Sequence, residues 1–197
     1  PFTYWDSADD AVALLDHLGV DRAAFIGMSQ GGYLSLRAAL AHPDRVAALV
    51  LIDSGVHVDD PETLAGYRGM IDHWLSDEPL GEVGQMVAGL ILGEPSLMEQ
   101  WIAIWESRDR STIAHPATAL LERDDISDRV AEITCPVLIV HGEEDQAIPI
   151  ETARDLCAAL PDCRGFVPVP GAAHAPNMTH PEVVNPAIEA FLAEVFG

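Results

Sequence analysis

Ala23-Ala24-Phe25-Ile26-Gly27-Met28-Ser29-Gln30-Gly31-Gly32 runs from a short apolar segment into a serine flanked by glycines, and Gly31 to Ala41 then takes up helical spacing. The order is strand, turn, helix. Gly27-Met28-Ser29-Gln30-Gly31 fits the Gly-x-Ser-x-Gly elbow, in which a turn too sharp for relaxed backbone leaves the serine exposed at the carboxyl edge of a sheet. Glycines two residues to either side give room to the neighbouring chain. The backbone N–H of Gln30, at the start of the helix, points where negative charge would develop on an attacked carbonyl.

The surrounding sequence supplies the sheet. Val46 to Ile52 is a nearly continuous aliphatic run, as expected of a strand buried on both faces, and Val137 to Val140 repeats the type between Pro136 and Gly142. Gly165 to Val169 reads as a weaker fourth strand. Helical patterns cover Asp6 to Leu18, with Asp6 or Ser7 as the cap, about Ile150 to Ala159, and Pro181 to Val195. Strands alternating with helices define an α/β fold with a parallel sheet. Between His57 and Ile133 the strand signal stops, and four helical stretches follow: Pro61 to Ser76, Leu80 to Leu92, Pro95 to Arg108 and Ser111 to Arg123. The expected organisation is therefore a core of residues 1–56 and 134–197 with a helical cap of residues 57–133.

A serine hydroxyl is a weak nucleophile at neutral pH and needs a histidine to accept its proton and a carboxylate to orient that histidine. The strand at Val137 runs into His141-Gly142-Glu143-Glu144-Asp145, which makes Asp145 the expected acid. Glu143 and Glu144 read more simply as solvated loop charges, and Asp53 is a second-choice acid position. Gly171-Ala172-Ala173-His174-Ala175-Pro176 follows the last strand, and its small residues allow the loop to bring His174 back as general base. Of the other histidines, His57 and His141 are placed to line a pocket without catalysing. Met28, beside the serine, and Trp74, Trp101 and Trp105 in the insertion are the candidates for substrate contact, although aromatic residues at helical spacing more often build core than pocket.

These motifs, together with Ala41-His42-Pro43-Asp44-Arg45-Val46, make the chain similar to the α/β-hydrolase superfamily. The tail from Val169 through His174, Asn177 and Pro181-Glu182 resembles that of 3-oxoadipate enol-lactonase-like and other small-ester hydrolases. The resemblance implies that the helical insertion is the family's cap and roofs the site. It also implies about four further strands ahead of the first helix, on the order of 60 to 80 residues at usual element lengths. On that comparison the chain reads as lacking its amino-terminal strands, including the loop that supplies a second oxyanion donor, and Ala23 to Gly27 becomes an open sheet edge. The activity implied is acyl hydrolysis of a small ester, lactone or thioester, without a metal or organic cofactor. A C–C bond hydrolase or perhydrolase would use the same triad, and a catalytically silent ligand-binding protein or inactive fragment is the competitor of a different class.

Composition narrows the partners. All ten basic residues are arginine against 32 acidic ones, a formal charge of -22, so nothing offers the basic stripe that nucleic acid requires. The acid excess also opposes anionic substrates unless a local cation offsets it, for which Arg68, Arg108 and Arg110 are candidates. No apolar run is long enough to cross a bilayer. The expected partner is a small-molecule substrate, with no nucleic acid and no membrane, and with homo-oligomer formation left open. Cys135, Cys157 and Cys163 lack the spacing of a zinc site or redox pair and read as free thiols in a cytoplasmic, reducing setting, with a Cys157–Cys163 bridge as the less favoured alternative because it needs a geometry that spacing does not give.

Overall fold

The computed structural model describes residues 1–197. Thr3 opens the first helix, α1 (Tyr4–Leu18), through a capping box: its side chain accepts from the Asp6 N–H while the Asp6 carboxylate accepts from the Thr3 N–H. The cap thus lies ahead of Asp6 and Ser7, because Thr3 has extended backbone that lets its hydroxyl reach the first turn. Gly19, in the left-handed region, ends the helix.

Four parallel strands follow in the order β1-β2-β3-β4: β1 (Ala23–Met28), β2 (Val46–Ile52), β3 (Val137–Gly142) and β4 (Cys163–Val169). Helix α2 (Gln30–Ala41) crosses from β1 to β2, and α7 (Ile150–Ala159) crosses from β3 to β4. Leu49, Leu51, Val137 and Ile139 pack against Leu36 of α2 and Ala153 and Leu156 of α7. Ala48, Val50, Ile52, Leu138 and Val140 turn to the opposite face, against Val184 and Phe191 of the final helix α9 (Pro181–Phe196). Burial on both faces is why β2 and β3 read as unbroken aliphatic runs rather than as alternation. β1 forms one edge of the sheet, and Ile26 is 49% exposed there.

Between β2 and β3 stand α3 (Pro61–Leu75), α4 (Gly81–Ile91), α5 (Pro95–Ser107) and α6 (Ala114–Leu121), with a short 3-10 turn at Arg110–Ile113 in place of the first turn of the expected fourth helix. Two buried arginines hold the end of this insertion, one to α2 and the other to the insertion's own start. Arg37 of α2 donates to both the carboxylate and the backbone carbonyl of Asp124, and Arg123 donates to Asp59 and to the carbonyls of Leu120 and His57. A last short helix, α8 (Pro176–Thr179), precedes α9.

The cysteines depart from expectation. Cys157 and Cys163 form a disulfide, and only Cys135 is a free thiol. The turn at Leu160–Pro161 folds the end of α7 directly onto the start of β4 and brings the two Cα atoms to 5.5 Å, a proximity that the spacing of six residues leaves undetermined. The thiol argument for a reducing compartment therefore falls. No helix is long and apolar enough to cross a membrane. Alkylation of the denatured chain, read by intact mass, is expected to modify one cysteine without reductant and all three of the chain's cysteines after reduction; three adducts without reductant would restore the free-thiol reading.

Candidate active site

Parallel register brings the chemistry to one edge. Met28 pairs with Ile52 and Ile52 with Val140, so Ser29 and Asp53, just past their strands, and His141, near the end of β3, stand side by side at the carboxyl end of the sheet. Ser29 has φ 51° and ψ -116°, well away from relaxed backbone for a residue with a side chain. The turn is held by two bonds: the Ser29 N–H donates to the Ile52 carbonyl, and the Ser54 hydroxyl donates to the Ser29 carbonyl, both at 2.9 Å.

The glycines of the elbow are not equivalent. A Cβ on Gly27 would overlap the backbone of Gly31, and one on Gly32 would overlap the side chain of Ser54, whereas Gly31 faces open space. The second glycine that packing demands is Gly32, one residue beyond the motif position. Gly31→Ala is expected to melt at or above the native temperature, by up to about 1 kcal/mol of stabilisation for a helical Gly→Ala exchange. Gly27→Ala and Gly32→Ala should melt well below it, and the opposite ranking would show that the turn packs differently.

His174 lies in the loop between β4 and α8 and is 7% exposed. Its Nδ1 is 2.8 Å from Asp145 Oδ2. Asp145 Oδ1 in turn accepts from the N–H groups of Ala147 and Ile148 at 2.8 and 3.0 Å. Burial raises the Asp145 carboxyl, but the hydrogen bond and charge of His174 and the backbone donors outweigh it and hold it below the usual carboxylate range. The two loops are joined by backbone bonds from Glu143 to Val169 and from Glu144 to Ala172. Glu143 and Glu144 themselves point to solvent, as their exposure shows.

Asp53 is wholly buried and also has positive φ, 43°. Its Oδ1 accepts from the Gly142 N–H at 3.0 Å, and its Oδ2 has no partner. Burial first, with Asp145 alongside, pushes its carboxyl up to about 9. The folded chain therefore keeps a proton that the unfolded chain releases in the ordinary carboxylate range. By linkage, the contribution of Asp53 to stability is fully present below that range and is lost as pH rises toward about 9. Asp53→Asn, which cannot ionise, is expected to gain thermal stability over the native chain between about pH 4 and pH 8; a constant difference across that range would show that Asp53 ionises normally. His141, fully buried, donates from Nε2 to the Ile148 carbonyl at 2.8 Å, and burial lowers its pKa. It stands behind the site as a neutral ring rather than at a pocket wall.

Over Ser29 opens a cavity of about 560 Å³. Met28, Ser29, Gln30, His174, Trp74, Trp101 and Trp105 all border it. The three tryptophans also pack on one another, with Trp105 centred 5.2 Å from Trp74 and 6.0 Å from Trp101, so they serve as both core and wall. Gln30 fixes its side chain by accepting from the Tyr4 hydroxyl, while its N–H is the first of α2. His57 lies away from the cavity, 3.6 Å from Asp125. The sequence reading missed Tyr33, Tyr67 and Asp59, which also line the cavity; of these only Tyr33, one helical turn past Ser29, carried a positional signal. No arginine lines it: Arg110 is spent on the carbonyls of Ser76 and Glu78, and Arg68 and Arg108 lie outside.

A parallel sheet with helices on both faces, a strained serine between strand and helix at its carboxyl edge, and a helical insertion above it define the α/β-hydrolase class. The chain belongs to that family: the family model described as alpha/beta hydrolase fold matches residues 1–181. A protein named as a carbamate hydrolase, RutD, from Caulobacter vibrioides is 30% identical over 97% of this chain and 72% of its own length. A pimeloyl-[acyl-carrier protein] methyl ester esterase of Edwardsiella ictaluri is 29% identical over 82% of this chain and 66% of its own. Among solved structures, a thermophilic esterase from Thermogutta terrifontis superposes with a TM-score of 0.88 at 28% identity, covering all of this chain and 74% of that one. The chain is an esterase-type hydrolase.

Proposed function

We propose that the protein is a serine hydrolase that cleaves a small, uncharged ester, lactone or thioester with an apolar acyl part. The observation that carries this reading is the Asp145–His174 bond of 2.8 Å at the wall of the cavity that also holds the strained Ser29. With Nδ1–H committed to Asp145, Nε2 of His174 is the basic nitrogen. Ser29 Oγ attacks the carbonyl carbon as its proton passes to Nε2. The carbonyl π electrons move onto oxygen, toward the Gln30 N–H. Collapse of this intermediate expels the alcohol, which takes the proton from His174, and leaves an acyl-Ser29. Water, deprotonated by the same nitrogen, repeats the sequence, releasing the acid and restoring Ser29.

The substrate class rests on the cavity. Eighteen of its 23 lining residues are hydrophobic, and its ionisable side chains besides His174 and the two tyrosines reduce to Asp59, already paired with Arg123 at 2.8 Å. An anionic substrate would enter without a counter-ion against a formal charge of -22. The relatives' names, covering carbamate and ester cleavage, support hydrolysis of an activated carbonyl and leave its identity to experiment. The test is a serine-reactive phosphonate read by intact mass and peptide mapping, followed by nitrophenyl esters of rising chain length and one bearing a terminal carboxylate. A single adduct on Ser29 and faster turnover of the neutral apolar esters are expected. No adduct would overturn the hydrolase mechanism, and preference for the carboxylate would overturn the substrate class.

A further inference from the structure

Two carboxyl groups stand behind His174, and only one of them is equipped to be an anion. Asp145 receives three donors, the N–H groups of Ala147 and Ile148 and Nδ1 of His174. Asp53 receives one, from Gly142, and its second oxygen is buried with no acceptor role filled. No arginine contacts either group. The ring between them, His141, has already given its Nε2–H to the Ile148 carbonyl, with that nitrogen 3.7 Å from Asp53 and 3.5 Å from Asp145. Polar atoms of Asp53, Asp145 and His174 lie within 4.8 Å of one another, which sets the two buried carboxyls side by side. Adjacent buried carboxylates cannot both carry charge, and the one with fewer donors keeps the proton.

Resting on the hydrolase reading, we propose that Asp53 is a positioning residue that works as a neutral carboxylic acid: its Oδ2–H donates to the Asp145 carboxylate and fixes the oxygen that receives His174. This assignment gives the orphaned Oδ2 a partner and leaves Asp145 as the single negative charge. It explains why a side chain with no solvent and no cation is an aspartate at all. A carboxylic acid offers a carbonyl oxygen to the Gly142 N–H and a donor to Asp145 from the same planar group. Asparagine offers both as well and tolerates positive φ, whereas alanine offers neither.

The test compares the full chain with Asp53→Asn and Asp53→Ala in turnover of a neutral nitrophenyl ester and in infrared difference spectra at neutral pH. Asp53→Ala is expected to lower kcat about 10- to 100-fold with little change in KM, the range for losing one hydrogen bond to a charged group. Asp53→Asn should recover most of that loss. A protonated carboxyl C=O band that shifts in deuterium oxide should be present in the native chain and absent from Asp53→Asn. If Asp53→Ala does not fold, the band and the Asn variant decide. Absence of the band, an Asn variant that is folded but as impaired as the Ala variant, or an unimpaired Ala variant would each overturn the proposal. Failure of the hydrolase reading is distinguished by the phosphonate: a native chain that shows the band but takes no adduct keeps the neutral Asp53 and loses its catalytic context.

Discussion

Ser29→Ala is expected to abolish the phosphonate adduct and to lower kcat by about 10⁶-fold, the loss seen when a triad serine is removed and only the oxyanion donors and binding remain. The substitution removes one oxygen from a residue that makes its structural bonds through the backbone, from Ser29 N–H to Ile52 and from Ser54 to the Ser29 carbonyl. The elbow should therefore persist, and the thermal transition should stay near the native one. Loss of turnover with an unchanged melt is the expected pair of results. Residual turnover above a tenth of the native rate would mean that the acyl group never resides on Ser29 and that water attacks the substrate carbonyl directly.

Asp145→Asn is the second large effect, expected at about 10⁴-fold in kcat, as for the same exchange in a serine protease triad. Asparagine can still accept at the Ala147 and Ile148 N–H groups through its oxygen, so the loop keeps its shape. Its amide then faces His174 as a donor and forces Nδ1 to be the acceptor. The proton moves to Nε2, and the nitrogen beside the cavity loses its basicity. KM should change little, because Asp145 does not line the cavity. If Asp145→Asn retained more than a tenth of kcat, the acid would have to be Asp53, and the neutral assignment of that residue would fall with it.

The two carboxyls show where local pattern stops being informative. Both follow an apolar strand, Asp53 after Val46–Ile52 and Asp145 three residues beyond Val137–Gly142, and either spacing suits an acid at a sheet edge. What separates them is the count of donors around each, and those donors come from Ala147, Ile148 and a histidine 29 residues further along. The cysteines make the same point: six residues between Cys157 and Cys163 permit a bridge or forbid it according to how α7 returns into β4. The elbow glycines are a finer case, since the motif names Gly31 and the packing of Ser54 selects Gly32.

Short-range chemistry determined what the amino-acid sequence could express alone: the strand–turn–helix at Ser29, the doubly buried strands and the helical insertion, because apolar periodicity and glycine placement act over a few residues. Ser29, His174 and Asp145 were legible as residue types at strand ends. Their convergence, the neutral ring of His141, the unpartnered oxygen of Asp53 and the absence of arginine from the cavity wall were decided only by the tertiary structure. These depend on parallel register and loop packing across more than a hundred residues of chain, and burial of that kind sets the charge of a group from all sides at once.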